Sequence, residues 1–142
     1  MTLRSAVLAV LLLATAPLTV RALEPPQIEV TPVAKATTTA AGQPLVFPTD
    51  KPQVVASIYT IAPGAVTPRH KHPALRYAYV LEGTLTVDIE GGASHTYPPG
   101  SFLVEVLEKW HVGKNAGPTP VRLLVLDHVS EGQSNVVTEQ GH

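Results

Sequence analysis

Two histidines separated by a single residue, His70 and His72, are the densest chemistry in the chain. In an extended strand, residues two apart project from the same face. That sets two imidazoles side by side, a spacing suited to sharing one metal ion. A third histidine, His111, lies in a second segment of similar character, with Asn115 four residues further on. Imidazole suits most first-row transition metals, so these residues define a class of site without selecting an ion or a reaction. The remaining histidines carry less weight. His95 lies near a turn and is expected to be exposed, and His128, at the end of an apolar run, is expected at the surface.

The sequence has 142 residues, with 11 acidic and 10 basic side chains and no cysteine. No basic patch stands out, which argues against a nucleic-acid partner. The lack of cysteine removes disulfide frameworks and thiol catalysis. Residues 1–22 read as a secretory signal peptide: a short positive start at Arg4, an apolar run from Ala6 to Val20, and small residues before a cut after Ala22. The run falls short of the roughly 20 residues a spanning helix needs, and Pro17 interrupts it. The expectation is a periplasmic or secreted protein, free of the membrane after cleavage. Residues 23–142 would then form one domain with its core at about 45–130, large enough to bury a single apolar interior. Without Arg4 and Arg21 its formal charge is −3.

Fourteen prolines and ten glycines punctuate the chain. Between them lie short runs rich in Val, Ile, Leu, Thr and Tyr, the pattern of strands. Strands are predicted at Leu45–Phe47, Val54–Ile61, Arg76–Leu81, Thr84–Ile89, His95–Tyr97, Ser101–Val106, Lys109–Lys114 and Val121–Val129. Val54–Ile61 is apolar on both rows, so it is expected to be covered on both sides. Glu82-Gly83 between two runs predicts a hairpin, and Gly91-Gly92 another turn. Ala34–Gly42 reads as a loop or edge strand, and Glu131–His142 as a mobile tail. Many short strands with closely spaced turns indicate an all-β barrel or sandwich.

The stretch from Gly64 to Asn115 resembles the cupin family, whose fold is a double-stranded β-helix or jelly-roll barrel. Gly64, His70, His72 and Gly83 fall in register with the first cupin motif, and Gly100, His111 and Asn115 with the second. The resemblance implies that His70, His72 and His111 are metal ligands, for Fe, Mn, Ni, Cu or Zn. Two departures stand out. Arg76 occupies the place of the first motif's glutamate, usually the fourth ligand, and Val106-Leu107-Glu108 replaces a Pro-x-Gly. A guanidinium cannot coordinate, and inside a poorly solvated barrel it would repel a divalent cation.

Three readings follow. The three histidines bind metal alone; or Glu105, six residues before His111, supplies the carboxylate, as in a group of exported bacterial cupins with a similar Phe-x-x-Glu pattern; or the metal is lost. Glu105 could instead pair with Arg76. Arg76 itself reads as a salt-bridge partner of Glu105 or Glu82, as a side chain that snorkels to solvent, or as a bidentate clamp for a substrate carboxylate. Both are candidate catalytic residues. Tyr77 and Tyr79 should face away from Arg76, Trp110 away from His111, and Arg69 and Lys71 toward solvent, while Phe102 and Val104 fill the barrel or its seam. An inward Arg76 should also lower the proton affinity of the histidine trio. The functional expectation is a metal-dependent oxygenase or related enzyme acting on a small organic molecule. The alternative is a non-enzymatic module binding a small ligand or metal. Pairing into a homodimer is expected by resemblance.

Overall fold

A computed structural model describes residues 28–139, all β among those residues. The expected signal peptide lies outside them. Nine strands run in chain order: β1 (Pro52–Ile61), β2 (His70–Lys71), β3 (Leu75–Glu82), β4 (Leu85–Ile89), β5 (Ser94–Tyr97), β6 (Phe102–Val104), β7 (His111–Lys114), β8 (Val121–Ser130) and β9 (Val137–Thr138). They form a four-stranded sheet in the order β1-β8-β3-β6 and a five-stranded sheet in the order β5-β4-β7-β2-β9. The chain passes repeatedly between the two sheets, as a jelly roll requires. Both lie within Thr31–His142.

Period-two alternation drives the packing. On β8, Val121, Leu123, Val125 and Val129 are buried, while the intervening side chains are half-buried. On β4, Leu85, Val87 and Ile89 point inward. With Ile61, Ala78, Val80, Leu103 and Val106 they make one apolar cluster between the sheets. The metal-type residues sit at one end of this cluster.

Several expectations fail for identifiable reasons. β3 and β4 are not a hairpin, because they belong to opposite sheets. Gly83 turns the chain across the barrel at φ +70, packed so tightly that a Cβ would lie 2.6 Å from the Pro120 carbonyl oxygen. β1 is an edge strand paired only to β8, and Val54, Val55 and Ile58 are exposed rather than covered. Leu45–Phe47 forms no strand. Instead Gln43 makes reciprocal hydrogen bonds with the Leu107 backbone, and Val46 and Phe47 are exposed. His95 is half-buried beside Tyr97. Residues 131–139 are no tail: Asn135 is buried, and β9 joins the second sheet.

Candidate metal centre

Each of the four residues at the centre reaches it from a different local setting. His70 lies on β2, directly opposite His111 on β7. His72 follows two residues later, bridged to Leu107, and is fully buried. Glu105 extends just beyond β6, where its amide donates to the Arg76 carbonyl on the neighbouring strand. The β3–β6 ladder sets Tyr77 opposite Val104, which carries Arg76 and Glu105 to the same level. The carboxylate thus enters from one strand to the side of the position where the cupin motif would supply it.

The hydrogen bonds of the imidazoles fix their orientation. Nδ1 of His70 lies 2.8 Å from the Pro68 carbonyl oxygen. Nδ1 of His72 lies 2.6 Å from the Asn135 carbonyl oxygen, and Nδ1 of His111 lies 2.9 Å from that of Lys109. A carbonyl only accepts, so each Nδ1 carries a proton and each ring turns Nε2 toward the centre, with a free lone pair when the ring is neutral. Metal-binding histidines are commonly oriented in this way.

Lone pairs therefore converge. Nε2 of His72, Nε2 of His111 and Oε2 of Glu105 form a triangle with all three sides 3.2 Å. Together with His70, the four ligand atoms lie within 4.8 Å of one another. Atoms of this kind at such distances need a positive charge among them, either a metal ion or a proton on an imidazole. Donors about 2.1 Å from one ion stand about 3.0 Å apart in octahedral and about 3.4 Å apart in tetrahedral geometry. The triangle fits a divalent transition metal. Of the readings left open by the sequence, the geometry favours the three histidines with Glu105.

The protonation balance points the same way. Burial is the largest influence on Glu105 and opposes its charge, yet bonds to His111 and His72 hold its carboxyl well below the usual range. Burial pushes His70 down to about 4. His111 moves oppositely: burial is the largest influence and disfavours its charge, but the hydrogen bonds to Glu105 and the Lys109 carbonyl, with the Glu105 charge, together outweigh it and raise it. The lowered proton affinity expected beside Arg76 holds at His70 and not at His111, where the Glu105 carboxylate opposes burial.

Arg76 is buried and does not reach solvent, and neither Glu105 nor Glu82 is its partner. Its Nε and Nη2 donate to the two oxygens of Asp127 at 2.7 and 2.8 Å. Glu82 pairs instead with Arg122. The bidentate face is thus committed to Asp127, so it does not provide the substrate clamp considered from sequence. Asp127 also offsets the positive charge that would otherwise repel an ion. Reasoning from sequence missed Asp127 and Asn135. A signal for Asp127 existed: it is the one acid in the otherwise apolar buried row of β8.

Flanking side chains fall mostly as expected. Tyr77 and Tyr79 turn away from Arg76, and Tyr77 stacks on Phe102. Phe102 is consequently outside the barrel, not filling it, while Leu103 packs inward and Val104 is buried. Trp110 lies on the outer side beneath Arg69 and Lys71. Asn115 is structural, donating to the carbonyls of Ile61 and Thr119. Glu108 adopts φ +54, where the motif's glycine would sit, and pairs with Lys71.

Comparison with known proteins agrees with this construction. The family described as "Cupin domain" matches residues 57–127, and the chain belongs to the cupin superfamily. Its fold is similar to the polyketide cyclase RemF from Streptomyces resistomycificus, at 22% identity and TM-score 0.51, over 61% of this chain and 62% of that one. It is also similar to the DMSP lyase DddQ from Ruegeria pomeroyi DSS-3, at 24% identity and TM-score 0.53, over 68% and 46% of the two chains. A Bacillus subtilis oxalate decarboxylase OxdC variant aligns at 21% identity and TM-score 0.52, over 60% and 23%. In each case the alignment spans less than two thirds of the other protein, and at these identities the likeness is one of fold. No curated protein matches the sequence.

Proposed function

We propose that this cupin is an exported, metal-dependent enzyme acting on a small organic molecule, with His70, His72, His111 and Glu105 holding the ion. The observation that carries the reading is the 3.2 Å triangle of two Nε2 atoms and a carboxylate oxygen, whose spacing matches the shell of one transition-metal ion. A bound transition metal would supply Lewis acidity and, for iron, manganese or copper, redox chemistry. The protein's own part is legible around it. A cavity of about 50 Å³ adjoins the centre, lined by His70, His111, Arg76, Glu105 and apolar side chains such as Leu85 and Val87. At roughly 30 Å³ per water, it admits one or two water-sized groups. A mouth pocket of about 160 Å³ shares Tyr59, Thr67, His70 and Arg76 with it. A small substrate would sit in the mouth, with its reacting end directed at the inner cavity. Glu105 remains ionised there to hold the cation, and the Arg76–Asp127 pair forms a rigid floor.

The small inner cavity favours a second reading, a module that binds metal or a small ligand without turnover. One preparation tests both. The protein is purified without chelator, its metal content measured by mass spectrometry, and oxygen uptake followed with small acids and phenolics. About one redox-active ion per chain, lost in His72→Ala, together with substrate-dependent uptake supports the enzyme. Bound zinc without turnover supports the module, and no bound metal overturns the enzyme. Export rests on the amino-terminal sequence pattern alone. A mature protein beginning at Leu23, read by intact mass, is the expected result.

A further inference from the structure

Asn135 is a buried polar residue outside both cupin motifs, 5% exposed. Its carbonyl accepts the Nδ1 proton of His72 at 2.6 Å. Its side-chain oxygen accepts from the Ala74 amide at 2.8 Å, and its nitrogen donates to Asp127 at 2.7 Å. One residue thus ties a ligand, the turn after that ligand and the Arg76–Asp127 pair together. Just beyond it, β9 sets Val137 opposite Lys71 and Thr138 opposite His70, and the Glu139 amide donates to the Arg69 carbonyl. β2 is only two residues long, and its other ladder is the single pair His70–His111. So short a strand has little stability of its own. The directions of His70 and His72 therefore depend on whatever is laid against β2.

We propose that Asn135–Thr138 is a clasp for the metal centre, with Asn135 as the positioning residue that orients His72. This rests on the metal-binding reading above. Orientation by outer partners sets ligand basicity and aim, and losing such a partner typically costs about 10–100-fold in metal affinity. Coupling between two sites is reciprocal, so an ion held more tightly by the clasp also holds the clasp more tightly. Val136 and Thr138 line the mouth pocket, and the same segment consequently forms one wall of the substrate entrance.

Hydrogen exchange on the unaltered full chain, with zinc and with chelator, reads the coupling directly. Amides of β9 and Glu139 should slow on zinc binding by at least about tenfold more than those of central β8. Asn135→Ala keeps the carbonyl on His72 but removes the side-chain bonds to Ala74 and Asp127 that hold it in place, so it should weaken cobalt(II) affinity by up to about 10–100-fold and alter the cobalt absorption spectrum. A merely structural role would lower the melting temperature while leaving affinity and spectrum of the folded protein unchanged. Exchange independent of zinc, or a folded variant with unaltered cobalt binding, overturns the clasp alone. A wild-type protein that takes up neither ion overturns the metal reading and the clasp with it. Should Asn135→Ala fail to fold, the exchange measurement decides.

Discussion

A carboxylate can serve one ion from either of two adjacent strands when the two positions face each other across the ladder. Arg76 and Glu105 stand in that relation, and the acid has taken the second place. Glu105→Gln keeps the shape but removes the charge that offsets the cation. It should weaken zinc affinity at least tenfold by titration calorimetry, more than loss of an outer partner at the low end of its range. The two shifted histidines give opposite pH behaviour. Folded His70 titrates at about 4, below its unfolded value near 6.5. Between these values the unfolded chain binds the extra proton. The contribution of His70 is therefore present above about pH 6.5 and lost as pH falls toward 4. For His111 the folded value is raised, so its contribution is full below about pH 6.5 and lost as pH rises through the folded value. Metal requires neutral rings, so the proton on His111 must leave first. Zinc affinity should rise across about pH 6 to 8 with release of a proton, countable in buffers of different ionisation enthalpy. An affinity flat over that range contradicts the assignment.

At the scale of elements, the crossing from β3 to β4 is the least forgiving point. Gly83→Ala would bring a Cβ against backbone at Pro120 and Val121, at a φ that L residues disfavour. Chemical denaturation should show a loss of about 2 kcal/mol or more. The sequence made this turn visible but not its destination. A glycine at positive φ serves a hairpin and a sheet-to-sheet crossing equally well, and only long-range pairing separates them. The strands of the core, from Val54 to Val129, were legible because alternation of apolar residues survives in one dimension. β9 was not, since Val137-Thr138 is too short to alternate and its pairing comes from β2, more than 60 residues away. The three histidines of the candidate centre were legible through motif register, and Glu105 through its spacing from His111. Asn135 left no trace, because half its work is done by a main-chain carbonyl that every residue possesses.

For the whole molecule, an ion that binds only the folded barrel joins segments distant in the chain, from β2 to the end of β6 and β7. Zinc at a hundred times its dissociation constant would add about 2.7 kcal/mol. For a domain of this size the melting midpoint should rise by roughly 10 °C, and chelator should reverse it. An unchanged midpoint would contradict binding to the folded state. The relocated acid also bears on protein engineering. Designers often stabilise a chain by restoring the residue most common among its relatives, and at position 76 that recipe prescribes Arg76→Glu. In this barrel the exchange would crowd a third carboxylate beside Glu105 and Asp127 and withdraw the guanidinium that both now face. The variant should melt well below the parent at neutral pH and recover part of the difference in acid, where the carboxyls take up protons. For this chain the family average is the wrong blueprint, because its charges were rearranged as a set.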